Sequence, residues 1–196
     1  VDVELICQSR AFALGGACFV LGLRFVGTAH LAAKNVLLRY LEHFESIGNE
    51  NVELGKQTKC NGAGRPDCYT LQMVMNSIAL SLSLVMSGTG DLATLRVLRR
   101  LHQRVGHGQA DGIGYGQHMA YGMSIGLLFL GGGRASISDS DESIAALLAA
   151  LFPRFPMKSN DNRYHLQALR HLYVLAVEQR SLDTFDIAGC DAFCSV

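Results

Sequence analysis

Apolar residues recur along this chain in runs that end in glycine, and three of these runs align with one another without gaps. They occupy residues 13–29, 74–90 and 117–133. Two small residues, four positions apart, recur in register within each run, and bulky apolar residues lie around them. The small positions are Cys18 and Gly22, Ala79 and Ser83, and Gly122 and Gly126, and the closing glycines are Gly27, Gly88 and Gly131.

This pattern is typical of helices that pack closely against other helices. Two residues four apart lie on one face of an α-helix, one above the other, so small side chains there leave a smooth groove. We expect a neighbouring helix to approach that groove, for example at Gly126. The closing glycines suit a helix end, where φ turns positive. Each run is therefore predicted to be a helix that ends in a tight glycine turn.

A second, amphipathic helix is predicted after each glycine turn, over residues 31–44, 92–105 and 141–152. Their apolar positions fall on one face at helical spacing. Asp91 is the expected N-cap of the second of these helices, and acidic side chains in the first turn of the third suit the helix dipole. Pro153 ends the third helix, because proline cannot continue the helical hydrogen bonding.

The spacing of the repeat is irregular. The closing glycines are 61 and 43 residues apart, whereas two-helix repeats such as HEAT have a period of roughly 40 residues. The excess lies in residues 46–67, which are polar, rich in Gly and Asn, and predicted to form an exposed insertion loop. A further helix is predicted over residues 161–177. Alternating character in residues 182–196 indicates one or two strands.

Composition changes this picture in three ways. Only 17% of residues are charged and 49% are hydrophobic, against about a quarter charged in a typical soluble domain, so we expect other protein to cover part of the surface. Lys plus Arg equals Asp plus Glu, at 17 each, so no net field attracts nucleic acid or an acidic membrane. The six cysteines form no dense disulfide framework, which favours a reducing compartment, the nucleus or the cytoplasm.

Glycine-terminated helices repeated in hairpins resemble the proteasome/cyclosome repeat. That repeat occurs in two large base subunits of the proteasome regulatory particle and in the scaffold subunit of the anaphase-promoting complex. The chain is similar to the cyclosome branch, towards the C-terminal part of its repeat domain, in GLLFLGGGR at 126–134, SIAALLAALFPRFP at 143–156 and DNRYHLQALRHLYVLA at 161–176. The resemblance covers roughly residues 11–177.

The resemblance implies an all-α fold, in which the two-helix repeats form an arc of an α-solenoid or toroid with the glycine-rich helices inside. We assign residues 1–180 to the repeat segment. Residues 181–196 form a short tail, interpreted as the start of a following β-containing segment. The abrupt apolar beginning at Val1 leads us to expect a piece of a longer protein.

The function implied is that of a non-catalytic scaffold within a cullin–RING E3 ubiquitin ligase that acts in mitotic cell-cycle control. The implied partners are other subunits of that ligase: the cullin–RING module, the substrate-recognition subunit and the tetratricopeptide-repeat subunits. The resemblance implies no cofactor, metal, nucleic acid, membrane or small-molecule substrate. One alternative keeps the repeat but places it in a proteasome base subunit, which docks ubiquitin-like domains.

A membrane-embedded helical bundle is an alternative of another class, because residues 11–29 are mostly apolar and Gly122 and Gly126 resemble a membrane dimer motif. Arg24 interrupts the first run, however, and the apolar part of the third is shorter than the ~20 residues that a bilayer requires. The small-residue pattern also recurs in all three runs, as stacked repeats require.

Candidate chemical motifs are weak by comparison. The spacing of Cys60, Cys68, His102 and His107 does not match the common zinc pairings. The glycine-rich stretches at 88–90 and 112–116 lack the Gly-Lys-Ser/Thr of a phosphate loop. We therefore predict neither a metal site nor an active site, and we interpret the glycines as turns.

Overall fold

Helices dominate the described part of this computed structural model, which comprises residues 3–55, 65–103, 114–156 and 161–180. The α-helices are α1 Val3–Arg24, α2 Leu31–Gly55, α3 Cys68–Val85, α4 Leu92–Gln103, α5 Tyr115–Leu128 and α6 Asp141–Leu151. A 3₁₀ turn, Leu130–Gly133, follows α5, and a longer 3₁₀ helix, Asn162–Ala176, follows α6. The only sheet among these residues pairs β1 Ala135–Ile137 with β2 Val177–Gln179, antiparallel. The predicted all-α class is confirmed.

The three glycine-terminated helices α1, α3 and α5 form the middle of the fold. α3 lies between α1 and α5 and contacts both. It is the most deeply enclosed element, because every residue from Val74 to Val85 is buried. Serines can line this interior because their hydroxyls bond to backbone: Ser81 donates to the Ser77 carbonyl at 2.7 Å and Ser83 to the Ala79 carbonyl at 3.1 Å.

Different helices cover the two faces of this middle layer. Ile78 and Leu82 of α3 join a core cluster that also contains side chains of α2 and α4. Leu80 and Leu84 join a second cluster with side chains of α6 and the 3₁₀ helix. Residues two apart on an α-helix point about 200° apart. α2 and α4 therefore lie on one side of α3, and α6 lies on the other.

The position of α6 differs from the expectation that residues 141–152 repeat the role of the two earlier outer helices. Leu147, Ala150 and Leu151 of α6 pack with Phe19 of α1 and Leu84 of α3. Helix α6 begins as predicted, with the Ser140 hydroxyl accepting a hydrogen bond from the Ser143 N–H at 3.2 Å. The sequence pattern specified the helix but not the side of the layer that it covers.

The expectation that residues 46–67 form a loop is wrong for its first part. α2 continues as a helix to Gly55. Ile47 still packs against the core cluster on this side of the fold, and a single glycine such as Gly48 costs a helix only ~1 kcal/mol relative to Ala. Residues 56–64 lie outside the described part. α3 begins where Asp67 accepts a hydrogen bond from the Thr70 N–H at 2.7 Å.

The described strands are residues 135–137 and 177–179, which were not predicted. The strands predicted in residues 182–196 fall outside the described part. The small extent of the sheet agrees with the predicted all-α class. The helix predicted over residues 161–177 is present as the 3₁₀ helix Asn162–Ala176.

Candidate functional site

The glycine turns form one continuous edge of the fold, which we call the glycine rim (residues 27–29, 88–90 and 131–133). Each turn lies at the C-terminal end of a middle-layer helix. The first turn donates from Gly27 N–H to the Leu84 carbonyl at 3.0 Å, and from Ala29 N–H to the Val85 carbonyl at 2.9 Å. These carbonyls belong to the last turn of the next middle-layer helix, α3.

The second turn repeats the same hydrogen bonds one helix further along. Gly88 N–H donates to the Leu127 carbonyl at 3.0 Å, and Gly90 N–H donates to the Leu128 carbonyl at 2.9 Å. Backbone carbonyls at a helix C-terminus have no partner within their own helix. Each turn therefore caps the following helix and fixes its distance from the preceding one.

Strand β1 lies across the rim and explains why two of its residues are glycine. Gly27 and Gly88 have φ of +70° and +67°, a region that disfavours side chains. A Cβ on Gly88 would also collide with the Ala135 carbonyl oxygen, and one on Gly27 with the Ile137 carbonyl oxygen. Two carbonyls of one strand thus rest on the turns of two successive repeats.

Two polar side chains join the sheet to the rim. The Arg180 guanidinium, directly after β2, donates to the Ser87 carbonyl at 2.6 Å and to the Gly88 carbonyl at 3.1 Å. The Ser136 hydroxyl of β1 donates to the Gly27 carbonyl at 3.4 Å. Neither side chain belongs to the sequence repeat, so the alignment of the three runs could not have indicated them.

The six small repeat positions within the helices fall in different surroundings. Cys18 and Ala79 are buried in the same core cluster, and burial raises the pKa of the Cys18 thiol to about 11, so it stays protonated at neutral pH. Ser83 is fully buried. Gly22 faces α3 at close range, because a Cβ there would lie 2.7 Å from the Cα and Cβ of Ser81.

Gly122 and Gly126 are exposed, in contrast, and a Cβ on either would meet no atom within 4 Å. The expectation that a neighbouring helix packs against Gly126 is therefore not met within the described residues. The difference arises because α5 is the last of the three middle-layer helices. Its other sides contact α3 and α4, while the side that carries these glycines is open.

Ion pairs and caps connect the outer helices. The Asp91 carboxylate accepts from the Thr94 N–H at 2.8 Å, as predicted for an N-cap, and pairs with Lys34 of α2 at 2.8 Å. Burial acts to raise the pKa of Asp91, but the hydrogen bonds from Lys34 and Thr94 outweigh it and lower the pKa. Arg100 of α4 pairs with Glu45 of α2 at 2.7 Å.

Arg170 of the 3₁₀ helix performs a similar task on the opposite side of the layer. Its guanidinium donates to the carbonyls of Ala150, Phe152 and Arg154 at 2.6–2.9 Å and lies 4.2 Å from the centre of the Phe155 ring. These carbonyls belong to the end of α6 and the residues that follow it. Burial lowers the pKa of Arg170 to about 10, so it remains charged at neutral pH.

His102 lines a shallow groove between α4 and α5, and its imidazole lies close to that of His118 at a tilted angle. The ring centres of His102 and His118 are 4.2 Å apart. Burial, and next the charge of His118, lower the pKa of His102. Leu95, Arg99 and Phe129 line the groove near His102. An arginine beside two imidazoles disfavours a bound cation, so the geometry offers no obvious metal site here.

The zinc alternative receives no support from the described residues, where no three potential metal ligands lie together. Cys68 and His102 are described, but Cys60 and His107 fall outside the described ranges. The described glycines of the two glycine-rich stretches at 88–90 and 112–116 have structural roles. Gly88 and Gly90 form a rim turn, and Gly116 lies so close to Phe155 that a Cβ would be 2.6 Å from that side chain.

Two helices, Val3–Arg24 and Cys68–Val85, are long and apolar enough to cross a membrane. In α3, 78% of this apolar stretch is buried within the fold, as in the core helix of a globular domain. The test is weak evidence for a membrane span, because core helices pass it as well.

Large apolar side chains remain exposed on α1 and on the 3₁₀ helix. Val20 of α1 is 65% exposed and Leu175 of the 3₁₀ helix is 72% exposed. Val3, Leu5, Ile6, Phe12, Tyr164 and Val174 of the same two elements are exposed as well. Single exposed apolar residues are common, whereas a contiguous apolar patch is typical of a contact with another molecule. This agrees with the low charged fraction of the sequence.

Comparison with known proteins gives a consistent result. The family model described as APC1 fifth domain matches residues 2–178. Anaphase-promoting complex subunit 1 of Homo sapiens is 43% identical over 187 residues, 95% of this chain, and that of Arabidopsis thaliana is 44% identical over 189 residues, also 95% of this chain. The negative regulator of mitosis of Emericella nidulans is 41% identical over 174 residues, 89% of this chain.

The chain spans only a small part of these relatives: 9% of the human protein, 11% of the plant protein and 8% of the fungal one. The family model nevertheless matches nearly the whole of the described structure, from α1 to the middle of β2. The chain therefore belongs to the APC1 fifth domain family.

Proposed function

We propose that this chain is a non-catalytic scaffold segment of the anaphase-promoting complex, a cullin–RING E3 ubiquitin ligase in mitotic cell-cycle control. The observation that carries the proposal is its 43% identity to Anaphase-promoting complex subunit 1 over 95% of its length. The name of the Emericella nidulans relative, a negative regulator of mitosis, supports the cell-cycle role. These relatives favour this assignment over a proteasome base subunit.

The contacts of the buried and half-buried polar side chains support a scaffold role, because they join different elements of the fold. Lys34, Asp91, Arg170 and Arg180 all bind groups of other helices or turns, and each of these contacts fixes one element relative to another. Burial raises the pKa of the Cys18 thiol, which disfavours the thiolate form that acts as a nucleophile. A segment that holds its helices at fixed spacings and exposes apolar surface can position other proteins without doing chemistry.

We further propose that the partners are the cullin–RING module, the substrate-recognition subunit and the tetratricopeptide-repeat subunits. The exposed apolar side chains of α1 and the 3₁₀ helix are the candidate contacts. The proposed location is the nucleus and the cytoplasm, a reducing environment in which the buried Cys18 thiol would stay unoxidised.

The test introduces charge onto this exposed surface in the full-length subunit. Val20→Asp and Leu175→Asp are compared with Val20→Ile, which keeps the surface apolar. Because burying one such side chain at an interface contributes ~1.5–3 kcal/mol, we expect the Asp variants to reduce copurification of other subunits. Val20→Ile should leave the assembly intact. The yield of the full-length subunit itself separates loss of assembly from loss of folding.

Ubiquitin transfer is then measured per assembled complex. The scaffold proposal requires this specific activity to be unchanged when the amount of complex falls. A variant that assembles fully and loses ubiquitin transfer would instead place these residues in the chemical step, and the proposal would be wrong.

A further inference from the structure

The two edges of the small sheet have different surroundings. Ser138 N–H donates to the Ala176 carbonyl at 2.8 Å, and Arg180 N–H donates to the Arg134 carbonyl at 3.0 Å. In an antiparallel pair, residues that exchange hydrogen bonds alternate with residues that do not. With Ser136 opposite Glu178, the backbone groups of Ala135 and Ile137 in β1 must point away from β2.

The outward edge of β1 is occupied by the glycine rim. The Ala135 and Ile137 carbonyl oxygens are the atoms that a Cβ on Gly88 or Gly27 would meet. This agreement between the strand register and the rim contacts fixes the orientation of the sheet. One edge is therefore held by the repeat array itself.

The same alternation determines what the other edge presents. In β2, the backbone N–H and C=O groups of Val177 and Gln179 point away from β1. None of these four groups makes a hydrogen bond to any element in the described part of the chain. Gln179 is exposed and Val177 is partly exposed. Strand β2 thus offers an open edge with two donors and two acceptors in register.

We propose that an extended segment of the longer polypeptide, from outside these 196 residues, pairs with Val177 and Gln179 as a third strand. Two observations support this occupant. A two-stranded sheet is marginal in water, and a third strand stabilises it. The relatives are roughly ten times longer than the matched segment, since the chain covers only 9% of the human protein. A segment of the same polypeptide binds at a high effective concentration, which a separate subunit lacks.

The flanking side chains define the chemistry of this strand. Val177 is partly buried on the same side of the sheet as Ile137, which belongs to the core cluster around α6. Glu178 points to the opposite, exposed side. Since cross-strand neighbours interact directly, the added strand should place an apolar residue beside Val177 and a basic or hydroxyl residue beside Glu178.

Hydrogen exchange of single amides tests the proposal in the full-length subunit, purified first without its partners and then within the assembled complex. The Arg180 amide is the internal control, because it is already bonded to Arg134 in this fold. We expect the Val177 and Gln179 amides to exchange as slowly as the Arg180 amide in the subunit alone, within about tenfold.

The matched variant is Gln179→Pro, which removes one outward N–H and leaves the bonds between β1 and β2 in place. Proline fits an edge strand, and Glu178 before it is already extended, as a residue before proline must be. In the full-length subunit, this change should accelerate exchange at Val177 by more than about tenfold and leave Arg180 unchanged.

Three results would overturn the proposal. Fast exchange of Val177 and Gln179 in both preparations would mean that no strand is added. Protection that appears only in the assembled complex would assign the strand to another subunit. Protection at Val177 that survives Gln179→Pro would mean that burial, rather than strand pairing, slows the exchange. If the variant does not fold, the comparison of the two unmodified preparations still decides.

Discussion

Gly22 and Gly126 occupy the same repeat position, two residues before the ends of α1 and α5, yet only one of them faces another helix. A Cβ on Gly22 would lie 2.7 Å from the Cα of Ser81 and 3.1 Å from its carbonyl oxygen. These are backbone atoms of α3, so no side-chain rotation can relieve the contact. A Cβ on Gly126 meets nothing within 4 Å. The two Gly→Ala variants form a matched pair.

The expected free energies follow from two opposing effects. Replacing glycine by alanine within a helix stabilises by up to ~1 kcal/mol, because alanine loses less backbone entropy on folding. Overpacking a close helix contact costs ~1–3 kcal/mol. Gly126→Ala has only the first effect and should stabilise by ~0.5–1 kcal/mol. Gly22→Ala has both, so it should be less stable than Gly126→Ala by ~1–3 kcal/mol.

Urea unfolding, monitored by the helical circular dichroism signal, measures both free energies under one set of conditions. For a chain of this size, each kcal/mol also shifts the melting temperature by ~2–4 °C. Larger side chains extend the comparison, because Gly126→Leu should be tolerated and Gly22→Leu should not. Equal stability of the two alanine variants would refute the assignment of α1 and α3 as a close-packed pair.

Three further predictions concern the glycine rim, Arg170 on the α6 side of the middle layer, and His102 in the groove between α4 and α5. In urea titrations, Gly88→Ala should destabilise the fold by more than ~3 kcal/mol and Gly132→Ala by only ~1–2 kcal/mol. Both glycines have positive φ, but only Gly88 lies under a carbonyl of β1. Arg170→Ala should lower the free energy of unfolding by ~2–4 kcal/mol, because it leaves carbonyls near the end of α6 without a hydrogen-bond donor. Slowly exchanging amides in α3 should keep their protection. Equal loss of amide protection in α3 and α6 would contradict this. Because burial lowers the folded pKa of His102, the unfolded state binds the proton more tightly, so stability should fall as pH drops below about 6.5. His102→Gln should flatten that dependence in melts between pH 7 and 5, and an unchanged slope would exclude His102 as its source.

The helices and glycine turns were predictable because their signals are periodic and repeated. Helix patterns of eleven residues or more carry enough apolar positions to define a face, and a positive-φ turn selects glycine directly. The strands were not predictable in the same way. Three residues cannot show an alternating pattern, and β1 is defined by its contact with Gly27 and Gly88, more than 45 residues away.

The sequence also could not predict which residues surround a repeated position in the fold. Gly22 and Gly126 read identically in the alignment of the runs, but their surroundings depend on which helix lies beside them. Arg170 and Arg180 raise the same difficulty, because a buried guanidinium that binds carbonyls leaves no local pattern. Such residues are specified by the fold that surrounds them rather than by their neighbours in sequence.

The rim also explains how the repeat tolerates its irregular period. Gly27 and Gly88 are separated by 61 residues, while Gly88 and Gly131 are separated by 43. Each of the first two turns nevertheless donates to the carbonyls of the last two residues of the next middle-layer helix, at distances that agree within 0.1 Å. The spacing of the middle-layer helices is therefore set by turn-to-helix hydrogen bonds and not by the length of chain between the turns. Extra residues can therefore lengthen α2 and its connection to α3 without changing the geometry of the layer, so the spacing of the middle-layer helices persists while the connections between them vary.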